Sequence, residues 1–200
     1  MSERQAFTRE SADTRREALI AACGRCLAKH GAQGTSVRAI CVEAGVSPGL
    51  LRHYFEGIDA LIAATYRATG DRVARALDEA VEAVGANPRA RLMAFVTANF
   101  RAPIANPELL GVWLAFWSLA RSEPTIGEIH DEIYAANRSE LEQLITACPA
   151  APADPRLAAI ALTALIDGLW LELSLGNAPF TAAEAEALAE RWLDAFLDTH

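Results

Sequence analysis

Residues Gly34–Phe55 read GTSVRAICVEAGVSPGLLRHYF. Thr35 or Ser36 can cap a short helix whose Val37, Ile40, Cys41 and Ala44 point inward. Gly45-Val46 then make a tight turn. Ser47 caps the next helix, with Pro48 at its first position, where a missing N–H costs nothing. Leu51 and Phe55, four apart, form the inward anchor of that helix, while Arg52, His53 and Tyr54 present hydrogen-bond donors on successive positions. Two short helices joined by a glycine turn and braced by a longer one make a helix-turn-helix candidate, a pattern that a generic helical bundle also contains.

The brace lies just upstream. Ala18, Leu19, Ala22, Cys23, Cys26 and Leu27 repeat an i, i+1, i+4 pattern that marks one helical face, and Gly31 and Gly34 end it. Residues 1–13 are polar and aperiodic and are expected to form a flexible tail. Downstream, Asn87-Pro88, Asn106-Pro107 and Asp154-Pro155 repeat one start signal, a capping side chain followed by proline. Thr181-Ala182-Ala183-Glu184 is a capping box. The spacing predicts helices near 14–30, 36–44, 48–54, 58–84, 88–101, 107–121, 124–147, 155–175 and 182–198. No alternating valine- or isoleucine-rich stretch competes as a strand, and no 20–50 residue repeat is present. The chain is expected to be all-α, with about nine helices.

Composition narrows the function classes. The 200 residues are 52% hydrophobic and 22% charged, which argues against disorder. A chain of this length buries roughly 70% of its unfolded surface and needs no metal or disulfide to fold. No basic segment precedes an apolar run and a cleavage site, so secretion has no support. The apolar stretch Leu157–Leu175 carries Asp167, Gly168 and Glu172, which suits a buried core helix better than a membrane span. Cys23, Cys26, Cys41 and Cys148 have no disulfide-framework spacing, and a reducing cytoplasmic setting is expected.

The net charge of -8 argues against nucleic acid as a partner until it is divided along the chain. Residues 1–57 hold eight Arg/Lys and six Asp/Glu, or +2, and the remaining 143 hold ten and twenty, or -10. Such asymmetry points to different partners for the two parts.

The short-helix region resembles the TetR family of repressors through Gly31, Thr35, Ser36, Val37, Ile40, Ala44, Gly45, Val46, Ser47, Gly49, Tyr54 and Phe55. The likeness covers roughly Ala18 to Leu61. It implies that helix 47–54 enters the DNA major groove, with contacts from Thr35, Ser36, Arg38, Ser47, Pro48, Gly49, Leu50, Arg52, His53 and Tyr54. Hydroxyls of Thr35, Ser47 and Tyr54 suit phosphate contacts. Pro48 and Leu50 offer apolar contact, for instance to thymine methyls, and His53 suits a base edge or a phosphate. Two departures stand out: Ile58 replaces a lysine common after the Phe55 turn, and Pro48 stands where lysine is frequent.

Further on, Gly111–Trp117 and Leu162–Leu171 resemble the C-terminal half of the choline-responsive betaine regulators, the BetI branch of that family. The domain plan is then a tail (1–13), a helix-turn-helix head (14–57), and a ligand-binding and dimerisation body (58–200). A choline-like or other small organic effector is expected to meet Trp113, Phe116, Trp117, Tyr134, Trp170 and Asp167, since aromatic faces and a nearby carboxylate attract a quaternary ammonium. The i, i+3, i+4 spacing of Trp113, Phe116 and Trp117 equally suits a core stripe, and Asp167 either meets ligand or caps or pairs structurally. Leu165, Leu169, Trp192 and Phe196 are expected at a four-helix homodimer interface that would read a palindromic operator of double-stranded DNA.

Other classes find little support. Cys23, Cys26 and His30 share a helical face, but the cysteines fall inward, where they behave as small hydrophobes, so no metal is expected. No cofactor and no membrane partner is expected either. An enzyme would need a nucleophile with an oriented base or paired carboxylates, and no G-x-S-x-G, HExxH or glycine-rich phosphate loop occurs. His130, Asp131 and Glu132 adjoin in sequence, and on a helix neighbours point apart. An all-α carrier or helical enzyme without DNA binding is the alternative.

Overall fold

Capping side chains and proline start signals divide the chain into helices at nearly every place where the sequence sets them. The computed structural model describes residues 2–149 and 151–198, apart from the side chains of 2–12, 196 and 198. Among these residues the structure is 80% helical, without strands. The helices are α1 (Ser2–Gly34), α2 (Val37–Ala44), α3 (Pro48–Tyr54), α4 (Ile58–Ala83) and α5 (Pro88–Ala98), followed by α6 (Pro107–Ala120), α7 (Pro124–Thr146), α8 (Pro155–Ser174) and α9 (Ala182–Asp198).

The caps explain the boundaries. Ser36, Ser47, Asn87, Asn106 and Asp154 accept backbone N–H bonds from Ala39, Leu50, Ala90, Leu109 and Leu157 at 3.2, 3.3, 3.0, 2.8 and 3.0 Å. Thr181 and Glu184 bond reciprocally, as a capping box requires. Gly45 takes a left-handed conformation (φ 65°, ψ 33°) after α2 and returns its N–H to the helix's last carbonyls. Gly31, at φ 65° and ψ -176°, kinks α1 near its end.

Two boundaries differ from the sequence pattern. The α1 helix takes in the polar segment from Ser2 onward. Glu3, Arg4, Gln5 and Ala6 are good helix formers, and only the missing apolar face makes the stretch look like a tail. The α5 helix stops at Ala98 rather than near 101. There the buried Asn99 amide donates to the carbonyls of Phe95 and Val96, taking up helix-end acceptors.

The chain separates into two compact units, residues 1–69 with 111–129 and residues 70–110 with 130–200. Helices α4, α6 and α7 each run from one unit into the other. Inside the first unit Leu19, Cys23, Leu27, Ile40, Leu51, Leu61 and Phe116 are buried. Here α6 closes on α1: a Cβ built on Gly111 would stand 3.2 Å from the Ala28 carbonyl oxygen. Inside the second unit Leu92, Phe95, Leu141, Ile145, Leu162, Ile166 and Leu193 form the core. Arg89 of α5 pairs with Asp194 of α9 at 2.7 Å there, and Arg101, just beyond α5, pairs with Glu186 of α9.

The α8 helix is long and apolar enough to cross a membrane by length and composition. Its Ala158, Ala159, Leu162, Thr163, Ile166 and Trp170 are nevertheless buried within the second unit.

Candidate functional site

Helix α3 owes its position to one anchored face. Leu51 and Phe55 are buried, which turns Ser47, Pro48, Gly49, Arg52 and His53 outward to solvent, with Leu50 and Tyr54 half-buried beside them. Phe55 is held further by the Arg16 guanidinium, 5.2 Å from its ring centre. His53 and Tyr54 meet edge to face at 5.0 Å. Ser36 and Arg38 are exposed at the start of α2, whose far end is tied to α1 by Arg25 and Glu43 at 2.6 Å. The Arg25 hydrogen bond holds the Glu43 carboxyl below its usual range.

Capping leaves chemistry to spare on this surface. Ser36 and Ser47 cap through a lone pair of the hydroxyl oxygen, so each O–H proton remains available to a phosphate oxygen. Thr35 differs. It is 8% exposed, and its hydroxyl donates to the Gly31 carbonyl at 2.8 Å, fastening the kinked end of α1. The outward surface thus offers hydroxyls, one imidazole and two guanidiniums around an apolar Pro48–Leu50 edge, which suits backbone contacts and base edges in a major groove.

The six residues expected around an effector fall into two groups. In the first unit Tyr66, which the sequence reading did not single out, stacks on Phe116 at 4.0 Å and 12° and meets Trp113 edge to face at 5.8 Å. All three are buried. The spacing of Trp113 and Phe116 along α6 serves this aromatic stack on Tyr66 of α4, and Trp117 stands half-buried in the same helix. In the second unit Tyr134 donates its hydroxyl to Asp167 Oδ1 at 3.1 Å. The His130 ring stacks on Tyr134 at 4.2 Å, and the Arg138 guanidinium lies 5.3 Å from the same ring. Trp170 is buried with its indole N–H donated to the Asn99 carbonyl at 3.0 Å. Burial pushes the Asp167 carboxyl up to about 6, against the opposing pull of the Tyr134 bond and the Arg138 charge. Burial likewise lowers the basicity of His130.

A separate groove of about 250 Å³ lies in the second unit, walled by Ala76, Ala80, Ala94, Ala98 and Ile104. Its one cation, Arg101, is already paired with Glu186. None of the residues expected to meet an effector lines it.

This geometry can be compared with known proteins. The model for bacterial regulatory proteins of the tetR family matches residues 19–65, and the model for BetI-type transcriptional repressors, C-terminal, matches residues 88–198. The HTH-type transcriptional regulator BetI of Burkholderia thailandensis is 36% identical over 186 residues, spanning 92% of this chain and 94% of that protein. The chain belongs to the TetR family. It is a DNA-binding transcriptional regulator with a BetI-type C-terminal half, and its named relatives are regulators rather than enzymes. A transcriptional regulator of Pseudomonas aeruginosa PAO1 has a crystal structure that superposes with a TM-score of 0.83 at 43% identity, covering 93% of this chain and 91% of that one. A more distant fold relative, from Saccharomonospora viridis, was crystallised in complex with choline; its TM-score is 0.78 at 20% identity, over 91% of this chain and 96% of that one.

The TetR fold also places the residues expected at a dimer contact. Leu165 and Leu169 of α8 and Trp192 of α9 are half-buried, and the Phe196 side chain lies outside the described residues. The exposed apolar residues of α8 are Leu157, Ile160, Ala161, Ala164, Gly168 and Leu171, with Leu175 at its C-cap, the charged Arg156 and Glu172 exposed among them, and Leu188 exposed on α9. Leu157 is 53% and Leu175 60% exposed. Helical periodicity was the signal for this stripe, but α8 is apolar all round, so the sequence did not say which apolar side faces inward.

Proposed function

We propose that the chain is a ligand-released repressor acting as a cytoplasmic homodimer on a palindromic operator. Residues 14–57 serve as its reading head and 58–200 as its effector and dimer body, with 1–13 the N-terminal tail, helical from Ser2 in continuity with the head. The observation that carries this reading is the outward face of α3, where Ser47, Gly49, Arg52 and His53 stand exposed over an anchor of Leu51 and Phe55. A second copy is expected on the exposed stripe of α8 and α9, with Leu165, Leu169, Trp192 and Phe196 at or beside the contact. A two-fold pair presents its reading helices to half-sites about one DNA turn apart, roughly 34–36 Å or somewhat more.

The effector is a small organic molecule, choline-like or of another class. Choline in a fold relative supports a cationic ligand, as does the half-buried Asp167 on the mainly apolar α8. Because α4 is one helix through both units, a ligand that displaces it alters the reading heads. By linkage, ligand weakens DNA binding by the same factor as DNA weakens ligand binding.

Fluorescence anisotropy with DNA from upstream of the chain's own coding region tests this. Sequence-specific, palindrome-dependent binding is expected, and Arg52→Ala should weaken it by about 1–3 kcal/mol through loss of a base or phosphate contact. Equal affinity for operator and scrambled DNA would sink the repressor reading. An unchanged affinity for Arg52→Ala would show that α3 docks in another register.

A further inference from the structure

We propose that the cation recognised at Asp167 is a protonated amine carrying at least one N–H, rather than a quaternary ammonium. The inference rests on the effector reading above and narrows it to one chemical class.

A quaternary ammonium has no donor hydrogen, so it is bound through the faces of aromatic rings, several of them closing a cage. Most of the rings expected around an effector are already committed, each within its own unit. In the second unit, Tyr134 carries the His130 ring at 4.2 Å, and the Arg138 guanidinium sits 5.3 Å from its centre. Trp170 is buried with its N–H tied to the Asn99 carbonyl. In the first unit, Tyr66, Phe116 and Trp113 pack against one another and are buried. A cage built within either group would first have to take apart existing contacts.

The carboxylate is differently placed. Asp167 Oδ1 receives the Tyr134 hydroxyl at 3.1 Å, which fixes the orientation of the group. Its Oδ2 has no protein donor among the described residues and is not sealed from solvent. Thr163 and Trp170, at i-4 and i+3, are buried on the same side of α8, so the carboxylate stands over a mainly apolar floor. An ammonium N–H aimed at Oδ2 makes a charge-assisted hydrogen bond that a trimethylammonium cannot make. The buried Trp170 at i+3 favours an amine with a hydrocarbon or aromatic body.

The test is a matched series titrated into the full-length protein and followed by calorimetry: phenethylamine, its N,N,N-trimethyl analogue, 2-phenylethanol, N,N-dimethylethanolamine and choline. Each amine bearing an N–H should bind at least tenfold tighter than its quaternary partner, and the alcohol weakest of all. Asp167→Asn, nearly isosteric, should remove the preference, and its circular dichroism should match wild type. Equal or tighter binding of the quaternary members, an amine preference that survives in Asp167→Asn, or no binding by any amine would each overturn the proposal. Operator anisotropy on the same samples separates the two readings. Specific DNA binding with no amine effect defeats only the amine inference, whereas loss of specific DNA binding defeats the repressor reading beneath it.

Discussion

Asp167 shows what a single residue can do when its environment works against its charge. The carboxyl sits at about 6 instead of its usual 3.8, chiefly through burial. Between those values the folded chain binds more protons at this site than the unfolded chain does. Stability should therefore fall as pH rises from about 4 to 6, and the loss persists above 6, where both states are ionised. Asp167→Asn should flatten that window and raise the melting temperature at pH 7.5, with a gain on the order of 1–2 kcal/mol after allowing for partial solvent contact. Thermal unfolding at pH 4.5, 6 and 7.5 checks this, and a variant less stable than wild type at pH 7.5 would contradict it. An exposed acid of α9 behaves otherwise. Glu184, held in the Thr181 capping box, is shifted below its usual range by hydrogen bonds.

At the scale of elements, the limits of nearly every helix were legible, because Asn87, Asn106, Asp154, Thr181 and the two serines announce them chemically and cap them in the structure. The inward face of α3 was equally legible from Leu51 and Phe55. What the sequence concealed were packing partners. Tyr66 lies far from Phe116 along the chain, so no spacing rule joins the two rings that stack. Thr35 looked like a phosphate donor, but only the fold reveals its hydroxyl turned to Gly31. Gly111 is the third such case. A Cβ there would meet the Ala28 carbonyl oxygen at 3.2 Å and the Ala28 Cα at 3.3 Å, both backbone atoms that cannot swing aside. Helix propensity alone predicts that Gly111→Ala stabilises by about 1 kcal/mol. Overpacking against a helix backbone costs about 1–3 kcal/mol and should win. A lower urea midpoint for Gly111→Ala is expected. The control is Gly168→Ala, which meets nothing within 4 Å in the isolated chain and should not be destabilised as a monomer.

For the whole molecule the question is what covers α8. An exposed, contiguous apolar stripe of this kind is uncommon on a monomer and marks an interaction surface. The stripe has large side chains at its ends, Leu157 and Ile160 at one and Leu171 and Leu175 at the other, with Ala161, Ala164 and Gly168 between them. Small central residues let two helices approach closely, while the flanking leucines supply the area, so an isologous contact with a second α8 suits the pattern. Burial of these apolar side chains against a second copy would favour association. Leu171→Glu places a carboxylate in the contact and, across a two-fold axis, brings it toward its own copy. That substitution should convert a dimer to a monomer in light scattering while leaving the helical content intact. It should also weaken operator binding at least a hundredfold, since a monomer engages one half-site with the contacts of a single head and loses the effective concentration that tethers the second. Undiminished operator affinity in a monomeric Leu171→Glu chain would mean that one head suffices, and a variant that remains dimeric would place the contact on another face.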